Sequence, residues 1–159
     1  MKTAIVVISD KSSAGKREDD SGPAIREFIE EAGGSVEAYK IIPDDKKKIV
    51  FLLKNLSDRA SIDLILTSGG TGFAPRDVTP EATLEAVEKE VPGLPEKMRN
   101  DTSEFTEMAY LSRARAGIRR ETLIVNLPGN PKAVRQCLDT IIDIIPHGLE
   151  VLKGEVTEH

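Results

Sequence analysis

The chain has 159 residues, with 22 Lys and Arg against 27 Asp and Glu, a formal charge of −5 at pH 7. This length predicts a single domain, residues 1–159, that buries roughly two-thirds of its unfolded surface and needs no disulfide or zinc staple. An acidic chain with 4% aromatic residues and no Trp lacks the basic field and stacking rings of a nucleic-acid surface. No apolar run reaches the roughly 20 residues of a membrane-spanning helix, and one cysteine, Cys137, excludes an intramolecular disulfide.

In chain order, short apolar runs alternate with amphipathic stretches, the pattern of strand–helix units around a mostly parallel sheet. No internal repeat, low-complexity segment or linker interrupts it. The first strand is expected at Ala4–Ile8 and reads as a buried strand, not a signal peptide, so a cytoplasmic location is expected. A polar loop follows, Ser9 to Asp20. Ser21 is expected to cap a helix with Ile25, Phe28, Ile29 and Ala32 on one face, closed by Gly33-Gly34. Val36–Ile42 is the second strand, and Asp44 or Asp45 caps the helix after it. Asp63–Thr67 is a buried strand that runs into Ser68-Gly69-Gly70-Thr71-Gly72. Thr79-Pro80-Glu81 opens a helix expected to reach Val91. Leu94 to Ala116 is expected to be helical in parts, with Gly117 closing it. Thr122–Leu127 is the last strand, turned by Pro128-Gly129-Asn130-Pro131 into a final helix that Pro146 should kink or end.

Parallel sheets place ligands beyond the carboxyl ends of their strands. Three strand ends here carry small and polar residues: Ser9-Asp10, Ser68–Gly72 and Pro128–Pro131. Glycines in the second group allow close approach and positive φ, so successive amides can form a nest for a phosphate, helped by the hydroxyls of Thr67, Ser68 and Thr71. A Walker loop does not fit, because Gly15-Lys16-Arg17 has Arg where the hydroxyl residue belongs. The dinucleotide pattern fails at Pro75. Asp77 follows the glycine loop. Either it favours the start of the next helix, or it holds Mg²⁺ against phosphate oxygens. Asp44 lies on the same rim and either caps its helix or shares that metal. Arg113, Arg115, Arg119 and Arg120 either face a polyphosphate or form a solvated face. His147 and His159 sit away from the rim and offer no Ser-His-Asp triad, and Cys137 belongs in the core.

The run Thr67-Ser68-Gly69-Gly70-Thr71-Gly72-Phe73-Ala74-Pro75-Arg76-Asp77-Val78-Thr79-Pro80-Glu81 resembles the signature of the molybdenum-cofactor biosynthesis proteins. Ser9-Asp10, Ser21-Gly22-Pro23, Ile42-Pro43-Asp44, Leu111-Ser112-Arg113 and Leu127–Pro131 extend the likeness over essentially the whole chain. Within that family the chain is most similar to the molybdopterin adenylyltransferases, including the G domain of gephyrin. The resemblance implies a three-layer α/β/α sandwich that assembles as a homotrimer. It implies transfer of AMP from ATP to the terminal phosphate of molybdopterin, with Mg²⁺ as cofactor and pyrophosphate as by-product, and hand-off to a molybdenum-inserting enzyme. Asp44 and Asp77 match the family's functional aspartates and would hold the metal. Ser68, Gly69, Gly70, Thr71 and Gly72 match the site that holds the pterin phosphate and Ser112 a serine at the substrate site, while the Ser9-Asp10 turn and the Pro128, Gly129 and Asn130 loop are expected to form the nucleotide's side. A noncatalytic pterin-binding paralogue or carrier is the competing expectation.

Overall fold

The structure is a computed structural model, which describes residues 1–157. His159 lies outside that range. Six strands form one sheet in the order β2-β1-β3-β6-β5-β4: β1 (Lys2–Ile8), β2 (Ser35–Ile42), β3 (Leu64–Ser68), β4 (Lys89–Glu90), β5 (Ala116–Arg119) and β6 (Thr122–Leu127). The first three and β6 run parallel, while β5 is antiparallel to both β6 and β4. Helices α1 (Asp10–Ser13), α2 (Ser21–Glu31), α3 (Lys46–Ser57), α4 (Thr79–Ala86), α5 (Gly93–Thr102), α6 (Pro131–Ile141) and α7 (Ile145–Leu152) fill the connections. A 3₁₀ turn spans Glu107–Leu111.

The period-2 geometry of β1 divides the core. Ile5 and Val7 pack with Ile25, Phe28 and Ile29 of α2, Met98 of α5, Val134, Leu138 and Ile141 of α6, and Leu149 of α7. Ala4, Val6 and Ile8 face the other way, onto Ile49, Leu53 and Leu56 of α3 and Ala82 and Ala86 of α4. The result is the expected three-layer sandwich. The chain leaves β1 for α2 on one face and leaves β3 for α4 on the other. β1 and β3 are neighbours, so the sheet's switch point falls between their carboxyl ends. Val7 pairs with Ser68, and Ser68 with Leu127, so the three loop starts are level there.

Several elements differ from expectation. The polar loop after β1 contains the one-turn helix α1, capped by the Ser9 hydroxyl, which accepts from the Ser12 amide at 3.1 Å. Ser21 is not the cap of α2: the Asp19 carboxylate accepts from the amides of Ser21 and Gly22 at 3.0 and 3.2 Å. Asp45, and not Asp44, caps α3 by accepting from the Lys48 amide at 3.0 Å. Helix α4 stops at Ala86, because Val87 turns extended and Lys89–Glu90 pairs with β5. Gly117 does not close a helix but sits in β5, where a Cβ would lie 2.7 Å from the Lys89 carbonyl. Pro146 falls in the first turn of α7, where its missing N–H does no harm.

One buried polar residue ties the sheet to α4. Asn126 is fully buried and donates to the hydroxyls of Thr67 at 3.0 Å and Thr83 at 2.8 Å, while its Oδ1 accepts from the Arg115 amide at 3.0 Å. Asn126→Leu strands an amide and two hydroxyls in an apolar interior, so it is expected to destabilise the fold by about 2–4 kcal/mol in urea unfolding.

Candidate active site

A cavity of about 530 Å³ opens at the switch point, lined by Ser9, Asp44, Ser68, Gly69, Gly70, Asp77, Gly129 and Asn130. Eight of the expected site residues therefore meet in one place. Ser112 and Pro128 instead line a smaller apolar cavity of about 190 Å³, walled by Pro95, Met98, Met108, Ala109 and Cys137. Burial raises the Cys137 thiol to about 11, as expected of a core cysteine. Asp10, Thr71 and Gly72 flank the larger cavity without lining it.

Gly69 and Gly70 both take positive φ, 102° and 67°. At Gly70 a Cβ would lie 2.3 Å from the Thr79 hydroxyl and 3.0 Å from Asp44 Oδ1, so only glycine turns the chain there. The Thr79 hydroxyl donates to the Gly69 carbonyl at 2.9 Å, and its amide to the Gly70 carbonyl at 3.2 Å. The Gly69 amide donates to the Leu127 carbonyl. Among the described residues, the amides of Gly70, Thr71, Gly72 and Phe73 donate to no protein acceptor. Successive amides without a protein acceptor are the donors an anion nest would use, and of these four residues Gly70 lines the cavity. Two of the nest's three expected hydroxyl helpers are engaged elsewhere. Ser68 donates to the Pro128 carbonyl at 2.7 Å, and Thr67 accepts from Asn126 inside the core. Asn130 also has a local task, capping α6 by accepting from the amides of Lys132 and Ala133.

The acidic residues divide by partner. Asp10 and Asp44 brace each other: the Asp10 amide donates to Asp44 Oδ2 at 2.9 Å, and the Asp44 amide to Asp10 Oδ1 at 3.1 Å. Arg76 grips Asp10 with Nε at 2.6 Å and Nη2 at 3.0 Å, and also donates to the Asp44 carbonyl at 3.0 Å. That guanidinium holds the Asp10 carboxyl below its usual range. Asp10 is therefore a brace whose carboxylate is paired with Arg76. Asp44 is the opposite case. Burial first, and then the charges of Asp10 and Asp77, raise its carboxyl above the usual range. No ion pair of the described residues involves Asp44 or Asp77. Two oxygen-donor carboxylates beside an anion nest suit a hard cation that also takes phosphate oxygens. Asp44 and Asp77 are the residues here that could hold Mg²⁺, which needs only one or two carboxylates; no group of three or more His, Cys, Asp or Glu suited to a metal occurs among the described residues.

The arginine cluster does not face the cavity. Arg113 turns to Glu81 and the back of the glycine loop, Arg115 pairs with Glu90, and Arg119 and Arg120 pair with Asp58. Among the described residues, the cation that lines the cavity is Arg17, which shares the lining with Glu18, Asp19 and Asp20. None of these four was singled out from sequence. Asp19 is held by Ser21, Gly22 and the Tyr39 hydroxyl, and the local signal for it was the Asp-x-Ser spacing before a helix.

Residues 4–147 match the family model described as a probable molybdopterin binding domain. The molybdopterin adenylyltransferase of Helicobacter pylori J99 is 40% identical over 152 residues, which cover 94% of this chain and 86% of that protein. The molybdenum cofactor synthesis protein cinnamon of Drosophila melanogaster is 42% identical over 154 residues, of which this chain spans 26% of that protein's length. The crystal structure of the molybdopterin biosynthesis enzyme MoaB from Thermus thermophilus superposes with a TM-score of 0.91 and 46% identity over 96% of each chain. The site thus sits where a parallel sheet binds ligands, on a glycine loop framed by two uncompensated aspartates, in a chain that belongs to the molybdopterin-binding family of molybdenum-cofactor biosynthesis proteins.

Proposed function

We propose that the chain transfers AMP from ATP to the terminal phosphate of molybdopterin, giving adenylyl-molybdopterin and pyrophosphate. The observation that carries this reading is the set of partnerless amides at Gly70–Phe73 beside Asp44 and Asp77, in a chain 40% identical to a protein named molybdopterin adenylyltransferase. An oxygen of the acceptor phosphate attacks the α-phosphorus of ATP, a new P–O bond forms, and the bond to the bridging oxygen breaks with its electron pair going to pyrophosphate. Anion meets anion in this step, so the protein's part is positioning and charge compensation.

In this reading the glycine-loop amides hold the acceptor phosphate. Ser9, Gly129 and Asn130 bound the nucleotide's side. The apolar cavity beside Ser112 and Pro128 takes a flat ring system. Asp44 and Asp77 hold Mg²⁺, which when bound neutralises charge on the triphosphate. Arg17 adds a positive charge to the cavity lining. The homotrimer belongs to the same reading, with the exposed apolar side chains of Phe73, Phe105, Met108 and Tyr110 as candidates for its contacts. So do a cytoplasmic setting and a molybdenum-inserting enzyme as recipient; no helix of the described residues is long and apolar enough to cross a membrane. Incubation with molybdopterin, ATP and Mg²⁺ should yield the adenylylated pterin with one pyrophosphate per product, read by mass spectrometry. Pterin bound without pyrophosphate release would favour the carrier instead.

A further inference from the structure

Arg113 makes four directed contacts, all behind the glycine loop. Its amide donates to the Thr71 carbonyl at 2.9 Å, Nε to the Gly72 carbonyl at 2.8 Å, and Nη2 to the Asp77 carbonyl at 2.8 Å. Nη1 pairs with Glu81 on α4. The loop closes on itself at the same place. The Asp77 carboxylate accepts from the Ala74 amide at 3.0 Å, and a Cβ on Gly72 would lie 2.9 Å from Asp77 Oδ2.

We infer that Arg113 is a positioning residue, a clamp that holds the anion nest and Asp77 in one fixed arrangement while its charge polarises the nest from behind. The inference rests on the functional reading above. The Thr71 carbonyl shares its peptide with the Gly72 amide, and the Gly72 carbonyl shares its peptide with the Phe73 amide. A carbonyl that accepts a hydrogen bond, above all one from a cation, makes the N–H of the same peptide a stronger donor. Both of those N–H groups lack a protein acceptor. The arrangement answers a difficulty posed by the composition. An acidic protein must bind anions, and the cation that lines the cavity, Arg17, shares that lining with Glu18, Asp19 and Asp20. Placed behind the loop, Arg113 polarises its peptides through these hydrogen bonds without occupying the cavity, while Glu81 balances its charge and fixes the rotation of its fork. A lysine cannot replace it, because one ammonium cannot meet two carbonyls and a carboxylate in that planar geometry.

The test is binding of inorganic pyrophosphate with Mg²⁺ by calorimetry to the wild type, Arg113→Ala, Arg113→Lys and Arg115→Ala, with melting temperatures and AMP transfer in parallel. Arg115→Ala removes the same charge from a side chain that pairs with Glu90 and leaves the loop untouched. Arg113→Ala is expected to weaken pyrophosphate by about tenfold, with kcat/KM for transfer falling at least as far. Arg113→Lys should stay folded and recover no more than about a third of that loss. Arg115→Ala should bind like the wild type. Wild-type binding by either Arg113 variant overturns the clamp, as does an equal loss in Arg115→Ala, which would mean long-range charge alone. A wild type that binds pyrophosphate in this pattern but transfers no AMP leaves the clamp standing and defeats the assigned reaction. A wild type that does not bind pyrophosphate defeats both.

Discussion

Asp44→Asn is expected to make the protein more stable near neutral pH while lowering AMP transfer by about a hundredfold or more. The two effects share a cause. Asp44 is held among Asp10, Asp77 and the folded glycine loop, and burial together with those charges raises its carboxyl above the ordinary value of 3.8. An acid whose folded pKa is raised binds its proton more tightly in the native state, so native stability falls as pH rises from the unfolded value through the folded one. Above that window the ionised Asp44 destabilises the fold, and the asparagine removes the penalty. Below about pH 4 both forms are neutral and the difference should vanish. The hydrogen bond from the Asp10 amide survives in the variant, because an amide oxygen accepts it as a carboxylate does. Urea unfolding at neutral and acid pH, beside the transfer assay, checks the pair. A variant less stable at neutral pH and fully active would mean that Asp44 is a structural carboxylate.

Gly70→Ala is expected to cost about 2–4 kcal/mol of stability, roughly 5–15 °C in melting temperature, and to lose at least a hundredfold in transfer. The residue stands at φ 67°, which alone costs a non-glycine residue about 1 kcal/mol or more. The larger part is steric. The added methyl would sit 2.3 Å from the Thr79 hydroxyl and 3.0 Å from Asp44 Oδ1. Relief would pull Thr79 from the Gly69 carbonyl and push Asp44 out of the cavity wall. Gly154→Ala is the control: its φ is 74°, yet nothing lies within 4 Å of the new Cβ. It should show the backbone penalty without loss of activity. Equal behaviour of the two variants would refute the steric argument.

Much of the fold was legible because strands β1, β3 and β6 are largely apolar and buried on both faces, as a central parallel sheet requires. The antiparallel edge was not. Its turn, Arg120-Glu121, carries no Gly, Asn or Asp, and Arg120 itself adopts φ 52°. Gly117 reads as a helix stop, yet the reason for glycine there is the close approach of β4, a contact 28 residues distant in sequence. The site divides in the same way. The glycine loop announces itself by composition. The choice between Asp44 and Asp45 does not, since either carboxylate suits a helix start. The reciprocal bonds to Asp10, 34 residues away, decide it. The direction in which Arg113 points depends on Asp77, 36 residues before it, and no local pattern encodes that.

Isotope position decides which phosphorus atom is attacked. With ATP labelled at the α-phosphate or at the γ-phosphate in separate reactions, the account predicts α-label in the pterin product and γ-label only in pyrophosphate. The γ-label in the pterin, or neither label there while pterin stays bound, would contradict it.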